Sequence, residues 1–195
     1  MTGRARTARE RREAAEARRA RRAEITDPDV VMEAAALFLS VRSRSVEETR
    51  RRLRHLGYPP PLCDQVVDRL VELGYLDDAQ FAVAWVESRD RARPRGAVAL
   101  RRELQLKGIS DETIAQVLAQ RAQAAADRDL EAGSAVVNAD HEAARKLIAK
   151  RSRSLQREAD PRRRRQKAYA LLARNGFAPD VCHEVAASVA EDDTE

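Results

Sequence analysis

The sequence predicts an all-α protein built from three tandem three-helix repeats, and three observations predict it. No stretch alternates apolar and polar residues at the two-residue period of a strand. Three segments superpose when aligned on a glycine: Leu53-Arg54-His55-Leu56-Gly57-Tyr58, Leu104-Gln105-Leu106-Lys107-Gly108-Ile109 and Leu172-Ala173-Arg174-Asn175-Gly176-Phe177. Aromatic residues make up only 4% of the 195, too few for one large core. Several small cores need only Leu, Val and Ala at helical spacing.

The repeated glycine is a helix stop. It stands at the position just past a helix, where φ is commonly positive and a Cβ is costly. The next residue is large and apolar each time (Tyr58, Ile109, Phe177), and a Leu stands four residues before the glycine (Leu53, Leu104, Leu172). In a Schellman cap these two positions pack on each other.

Residues 1–26 read as a basic charged tail. Residues 1–24 hold nine Arg and four Glu with almost no large apolar side chain. That composition suits a solvated helix or a disordered arm. Asp27-Pro28 opens the folded body as N-cap and first helical residue. Repeat 1 covers 27–75, with a first helix over about 28–41. Ser45-Val46-Glu47-Glu48 then matches a capping box for the second helix. A third helix carries Leu62, Val66, Val67 and Leu70, and Gly74 ends it. Repeat 2 covers 76–121. Asp77-Asp78-Ala79-Gln80 opens its first helix, and Arg93-Pro94-Arg95-Gly96 puts a proline near the first turn of its second. Thr113, Ile114, Val117 and Leu118 line its third. The glycine spacings are 51 and 68 residues. The longer gap falls in 122–138, an Ala-rich stretch with Gly133-Ser134 that reads as a linker or a helix extension. Repeat 3 covers 139–191: a helix over about 139–157, a second opened by Asp160-Pro161, and a third with Val181, Cys182, Val185 and Val189.

The net charge of +5 sits in the tail; the remainder balances 28 basic against 28 acidic residues. Any anion-binding face must therefore come from local clustering. Basic residues gather around the first loop and second helix of each repeat: Arg42, Arg44, Arg50, Arg51, Arg52 and Arg54; Arg89, Arg91, Arg93, Arg95, Arg101, Arg102 and Lys107; Lys150, Arg151, Arg153, Arg157, Arg162 to Arg165 and Lys167. Stacked repeats would align these into one stripe suited to an extended polyanion. Arg fits that task because its planar fork binds phosphate or carboxylate with two bonds and stays charged. Few aromatics interleave with the arginines, which argues against base stacking. Trp85, four residues after Phe81, reads as part of a core stripe.

The quoted residues carry a family resemblance. Val41-Arg42-Ser43-Arg44-Ser45, Glu48-Thr49-Arg50 and Leu53 to Gly57-Tyr58 lie in the first repeat. In the second lie Gly74-Tyr75-Leu76-Asp77-Asp78, Phe81-Ala82, Trp85-Val86, Arg89, Arg93-Pro94-Arg95-Gly96, Leu100-Arg101-Arg102-Glu103-Leu104 and Lys107-Gly108-Ile109. In these the chain resembles the RecX regulatory family over residues 30 to 190, most strongly over 41–118. Thr49 departs from it, standing where the family more often has an acidic or aliphatic residue. The resemblance implies an elongated, curved array of three three-helix repeats. It implies a regulator that binds the RecA–DNA filament and inhibits filament extension, ATP hydrolysis and strand exchange, and so modulates recombination, DNA repair and the SOS response. The expected contact residues are Arg42, Arg44, Arg50, Arg51 and Arg54; Arg89, Arg93, Arg95, Arg101, Arg102 and Lys107; and Arg151, Arg153, Arg163, Arg164 and Lys167. Of these, Arg95, Arg101 and Arg102 are expected to matter most. The expected partners are the RecA filament and single- or double-stranded DNA, engaged by a monomer. The alternatives are an autonomous helical nucleic-acid-binding module and a scaffold for acidic proteins.

No enzyme chemistry is expected. Cys182-His183 suggests a nucleophile or ligand, but Cys63, Ile114 and Cys182 each stand six residues after their glycine, which is the slot of a small buried hydrophobe. His55, His141 and His183 lack ligand spacing. Asp77-Asp78 is better explained by helix capping than by a metal. No cofactor or metal is expected. Two Cys give no disulfide framework, and no apolar run nears the ~20 residues of a membrane span, so the expected location is the cytoplasm.

Overall fold

The computed structural model describes residues 7–131 and 138–191. The start of the predicted tail (1–6) and residues 132–137, with Gly133-Ser134 of the predicted linker, lie outside the described residues. The described residues form ten α-helices and no strand. They fall into two compact units, one ending at Phe81 and the other beginning at Ala82.

The first unit holds α1 (Ala8–Ala23), α2 (Pro28–Leu39), α3 (Val46–Leu56), α4 (Pro60–Glu72) and the start of α5 (Asp78–Ala92). The tail is thus helical from Ala8. Thr7 accepts from the Glu10 N–H and Glu10 accepts from the Thr7 N–H, a complete capping box. No α1 residue is buried. The helix lies over the α3–α4 turn, where Gly57 has φ +102°. A Cβ there would stand 2.4 Å from Arg19 Cγ and 2.9 Å from the Arg19 carbonyl oxygen. Arg22 sits 5.5 Å over the Tyr58 ring and donates to the Leu56 carbonyl at 3.4 Å. The core beneath joins Val31 and Ala35 of α2, Leu53 of α3, and Cys63, Val66, Val67 and Leu70 of α4. Thr49, the family departure, is also buried, and its hydroxyl donates back to the Ser45 carbonyl at 3.0 Å. That bond satisfies the one polar atom the position would otherwise bury unpaired.

The second unit holds the rest of α5 with α6 (Ala97–Leu106), α7 (Asp111–Glu131), α8 (Ala139–Leu155), α9 (Pro161–Arg174) and α10 (Pro179–Glu191). Residues 122–131 continue α7, so that part of the predicted linker is a helix extension. The glycine stop works alike in all three repeats. Tyr58, Ile109 and Phe177 donate to the carbonyls of Leu53, Leu104 and Leu172 at 3.4, 3.1 and 3.4 Å, the Schellman bond. Gly57, Gly108 and Gly176 all have positive φ. An offset of 51 residues also maps buried positions of repeat 1 onto repeat 2: Val31 on Ala82, Ala35 on Val86, Thr49 on Leu100, Leu53 on Leu104, Cys63 on Ile114 and Val66 on Val117.

Cys63, Ile114 and Cys182 are each fully buried. The two thiols point at the carbonyls of Tyr58 and Phe177, at 3.6 and 3.5 Å, and burial raises the pKa of both. Because Ile already serves in this slot, Cys182→Val should change unfolding free energy by less than about 1.5 kcal/mol, checked by urea unfolding.

The helix starts differ in one respect from the sequence expectation. Ser45 caps α3 through the Glu48 N–H at 3.1 Å, and Asp160 caps α9 through the Arg162 N–H at 2.9 Å. Pro94 is fully buried two residues before the N-cap of α6, rather than in its first turn. That N-cap is Gly96, which has no side chain to accept with. Asp140, from α8, accepts the Ala97 N–H instead, at 3.0 Å. A counterpart exists in the first unit. Asp77 caps its own helix through Ala79 and Gln80, while Asp78 reaches back to accept the Val46 N–H of α3 at 2.9 Å.

Candidate functional site

The second helices of repeats 1 and 2 carry arginines in the same register, yet their surroundings differ. On α3, Arg50 donates to Asp64 at 2.9 Å and to Glu47 at 3.2 Å, and Arg54 donates to both Asp64 oxygens. Arg51 donates to Glu47 at 2.7 Å. Burial pushes the Glu47 carboxyl up, but the bonds from Arg51 and Arg50 outweigh it and its pKa is lowered. The stability it contributes is therefore present above the ordinary carboxylate range and lost as pH falls through the lowered value. Repeat 1 thus neutralises much of its own basic helix.

The equivalents of Arg50 and Arg51 on α6 are Arg101 and Arg102, and there the acids are gone. The offset puts Val98 in place of Glu47 and Ala115 in place of Asp64. Arg101 and Arg102 are exposed and have no ion-pair partner among the described residues. Exposed Arg93 shares that condition. In the same unit, the Lys150 ammonium donates to the carbonyls of Arg91 and Ala92 at 2.9 and 3.0 Å. This ties the Arg91–Arg93 corner to α8, on which Lys146, Lys150 and Arg153 follow at helical spacing. Arg151 and Arg153 are exposed. So one basic residue of repeat 3, Lys150, stands against the main chain beside Arg93 of repeat 2.

Other predicted contact residues are engaged inside the protein. Arg42 donates twice to Glu48. Arg89 donates to Glu103 at 2.6 Å, and Arg95 lies 3.4 Å from the same carboxylate and bonds the Asn175 side chain. Arg163 stands 3.6 Å from Asp160, and Lys167 pairs with Glu158. Arg164 is buried, its Nε donating to the Glu158 carbonyl at 3.0 Å, so it supports the turn before α9 and leaves the exposed set. In repeat 3 the positions equivalent to Arg101 and Arg102 are Tyr169 and Ala170; its cluster lies nearer the start of α9.

Trp85 is corrected from the core reading. Phe81 is buried but Trp85 is half-buried, because its indole N–H must reach a partner. It donates to Glu103 at 2.9 Å, and its ring carries Arg89 at 4.3 Å and Lys107 at 4.7 Å. The sequence reading also gave no role to Phe38, whose ring carries Arg44 at 4.1 Å and Arg52 at 5.7 Å.

Comparison with known proteins decides the family. Family profiles match in order along the chain: "RecX, first three-helix domain" over residues 32–70, "RecX, second three-helix domain" over 77–118 and "RecX, third three-helix domain" over 139–185. The chain belongs to the RecX family. Its relatives include proteins named regulatory protein RecX from Mycobacterium ulcerans and Mycobacterium marinum, each 34% identical over 163 residues, covering 82% of this chain and 86% of the relative. The crystal structure of RecX from Lactobacillus salivarius has the same fold at TM-score 0.65 and 18% identity, over 83% of this chain and 96% of that one. A second RecX crystal structure matches at TM-score 0.64 and 20% identity, over 95% of this chain and 80% of that one. Each matched RecX three-helix domain contains one of Gly57, Gly108 and Gly176, and α1 lies ahead of the first of them.

Among the described residues, no group of three His, Cys, Asp or Glu could hold a metal ion, and no helix is long and apolar enough to cross a membrane.

Proposed function

We propose that this RecX-family chain binds the RecA–DNA filament and restrains it, slowing filament extension, ATP hydrolysis and strand exchange. One observation carries the reading beyond family membership. Repeat 2 keeps Arg93, Arg101 and Arg102 exposed where repeat 1 spends the matching arginines on its own acids. Uncompensated guanidinium groups, two on α6 and one in the loop before it, suit a phosphate or carboxylate surface. Lys150 of repeat 3 adds a further cation beside Arg93, held there by the Arg91 and Ala92 carbonyls.

The test is RecA-catalysed, DNA-dependent ATP hydrolysis. Substoichiometric protein should slow it; no effect at stoichiometric excess would refute the reading. The triple variant Arg93→Ala, Arg101→Ala, Arg102→Ala should weaken binding about 10-fold or more at physiological salt without unfolding the protein. Its slope of log affinity against log salt should fall by about 2–3 if the arginines meet phosphates. A flat wild-type salt profile would assign them to protein carboxylates. Filter binding with naked and RecA-coated DNA separates this reading from an autonomous DNA-binding module, which would bind both alike.

A further inference from the structure

The corner between the first and second helices is built twice in register, once with an internal anion and once without. In repeat 2 the corner comprises Arg89, Arg95 and Glu103. Glu103 takes the Arg89 guanidinium at 2.6 Å, the Trp85 indole N–H at 2.9 Å and Arg95 at 3.4 Å. The 51-residue offset maps these residues onto Phe38, Arg44 and Arg52 in repeat 1. There the carboxylate position holds a second arginine, and both guanidinium groups gather on one phenyl ring. Neither has an ion-pair partner among the described residues. The nearby carboxylate, Glu48, is spent on Arg42 and on the Ser45 N–H. The Arg44 Nε is buried without a hydrogen-bond partner. Burial, chiefly, and then Arg42 and Arg52 hold the Arg44 pKa below its usual value, and the field of Glu48, which opposes them, does not offset it.

We infer that the Phe38–Arg44–Arg52 corner of repeat 1 is an oxyanion site that takes a phosphodiester group of nucleic acid. The inference rests on the nucleoprotein-binding reading above and assigns part of that contact to named residues. The ring provides a flat seat that holds two guanidinium groups together at little entropic cost. A phosphate chain repeats its charge along the strand and gains from every cation it neutralises, which an isolated carboxylate does not.

The internal comparison supplies the experiment. Arg52→Glu gives repeat 1 the carboxylate that repeat 2 has. The melting temperature of the full chain should hold or rise, because Arg44 gains an intramolecular partner. Affinity for a labelled oligonucleotide, read by fluorescence anisotropy without RecA, should fall about 10-fold, and the salt slope should flatten by about 1–2. Inorganic phosphate, against chloride at equal ionic strength, should raise the wild-type melting temperature by about 3 °C and leave the variant unmoved. Arg52→Gln, which removes the charge without adding one, should weaken oligonucleotide binding in the same direction. Unchanged oligonucleotide affinity and slope in both variants would overturn the site. Loss of the phosphate shift alone, with oligonucleotide binding intact, would also overturn it as a nucleic-acid contact. As no arm contains RecA, these outcomes are independent of the ATP-hydrolysis test.

Discussion

Arg121→Ala should destabilise the second unit by about 3–5 kcal/mol, the cost of breaking a buried ion pair from one side. Arg121 is only 9% exposed, as is its partner Asp140. It donates to both Asp90 oxygens at 2.8 and 2.9 Å and to Asp140 at 2.6 Å, with longer bonds to the carbonyls of Arg95 and Ala139. Burial works to lower the Arg121 pKa, but the two carboxylates outweigh it and raise it. Truncation would leave Asp90 and Asp140 facing each other across an emptied pocket. The repeat register predicts the rescue. Leu70 and Leu39 occupy the corresponding positions in repeat 1. Arg121→Leu combined with Asp90→Leu should therefore recover most of the loss, while Asp140 keeps the Ala97 N–H. Urea unfolding followed by Trp85 fluorescence and by circular dichroism measures both variants. A loss below about 1 kcal/mol for Arg121→Ala would mean the network contributes no more than a surface pair.

Gly96→Ala should cost about 3 kcal/mol, for a reason unconnected with its φ of −74°. An added Cβ would lie 2.1 Å from the Gly176 carbonyl oxygen and 2.5 Å from Phe177 Cα, and backbone cannot turn aside as a side chain can. The start of α6 and the α9–α10 turn meet here main chain to main chain, and the Gly96 N–H donates to the Asn175 carbonyl at 3.0 Å. Repeats 2 and 3 are joined at this point. Gly74→Ala is the control: its φ is +74° but nothing lies within 4 Å, so it should cost only the roughly 1–2 kcal/mol of left-handed strain. Thermal melts of the two variants should differ clearly; equal melting temperatures would show that the second unit opens at this contact without penalty.

Much of the fold is legible in the sequence because its signals are local. Gly57, Gly108 and Gly176 each stop a helix through bonds spanning six residues, and Ser45 and Asp160 start helices through bonds spanning two or three. Such contacts need no knowledge of the rest of the chain. The shared slot of Cys63, Ile114 and Cys182 is legible because repetition acts as an internal alignment. What escapes is the partner that arrives from another helix. Nothing near Arg50 or Arg54 in sequence announces Asp64, and nothing near Arg121 announces Asp140. An arginine in a helix reads as solvated unless its register shows it standing in the place of Leu70. Trp85 escapes because helical spacing marks a face but not how far a ring is covered. The docking of α1 escapes because alanines and arginines leave no apolar stripe; it depends on the bare backbone of Gly57. Of the contact residues the sequence proposes, charge alone cannot tell Arg101, left open, from Arg50, already taken. The distinction lies in Val98 and Ala115, seen only once the repeats are overlaid.

The borrowed caps at Val46 and Ala97 bear on how the chain matures during synthesis. The start of α3 has its own capping box and gains from Asp78 only a partner for the Val46 N–H, whereas the start of α6, capped by Gly96, has no side-chain acceptor until Asp140 of the following repeat has been translated and folded back. The third repeat opens its second helix with its own Asp160 and waits for nothing downstream. A chain ending after repeat 2 would therefore present the first turn of α6 with the Ala97 N–H unmatched by any side chain.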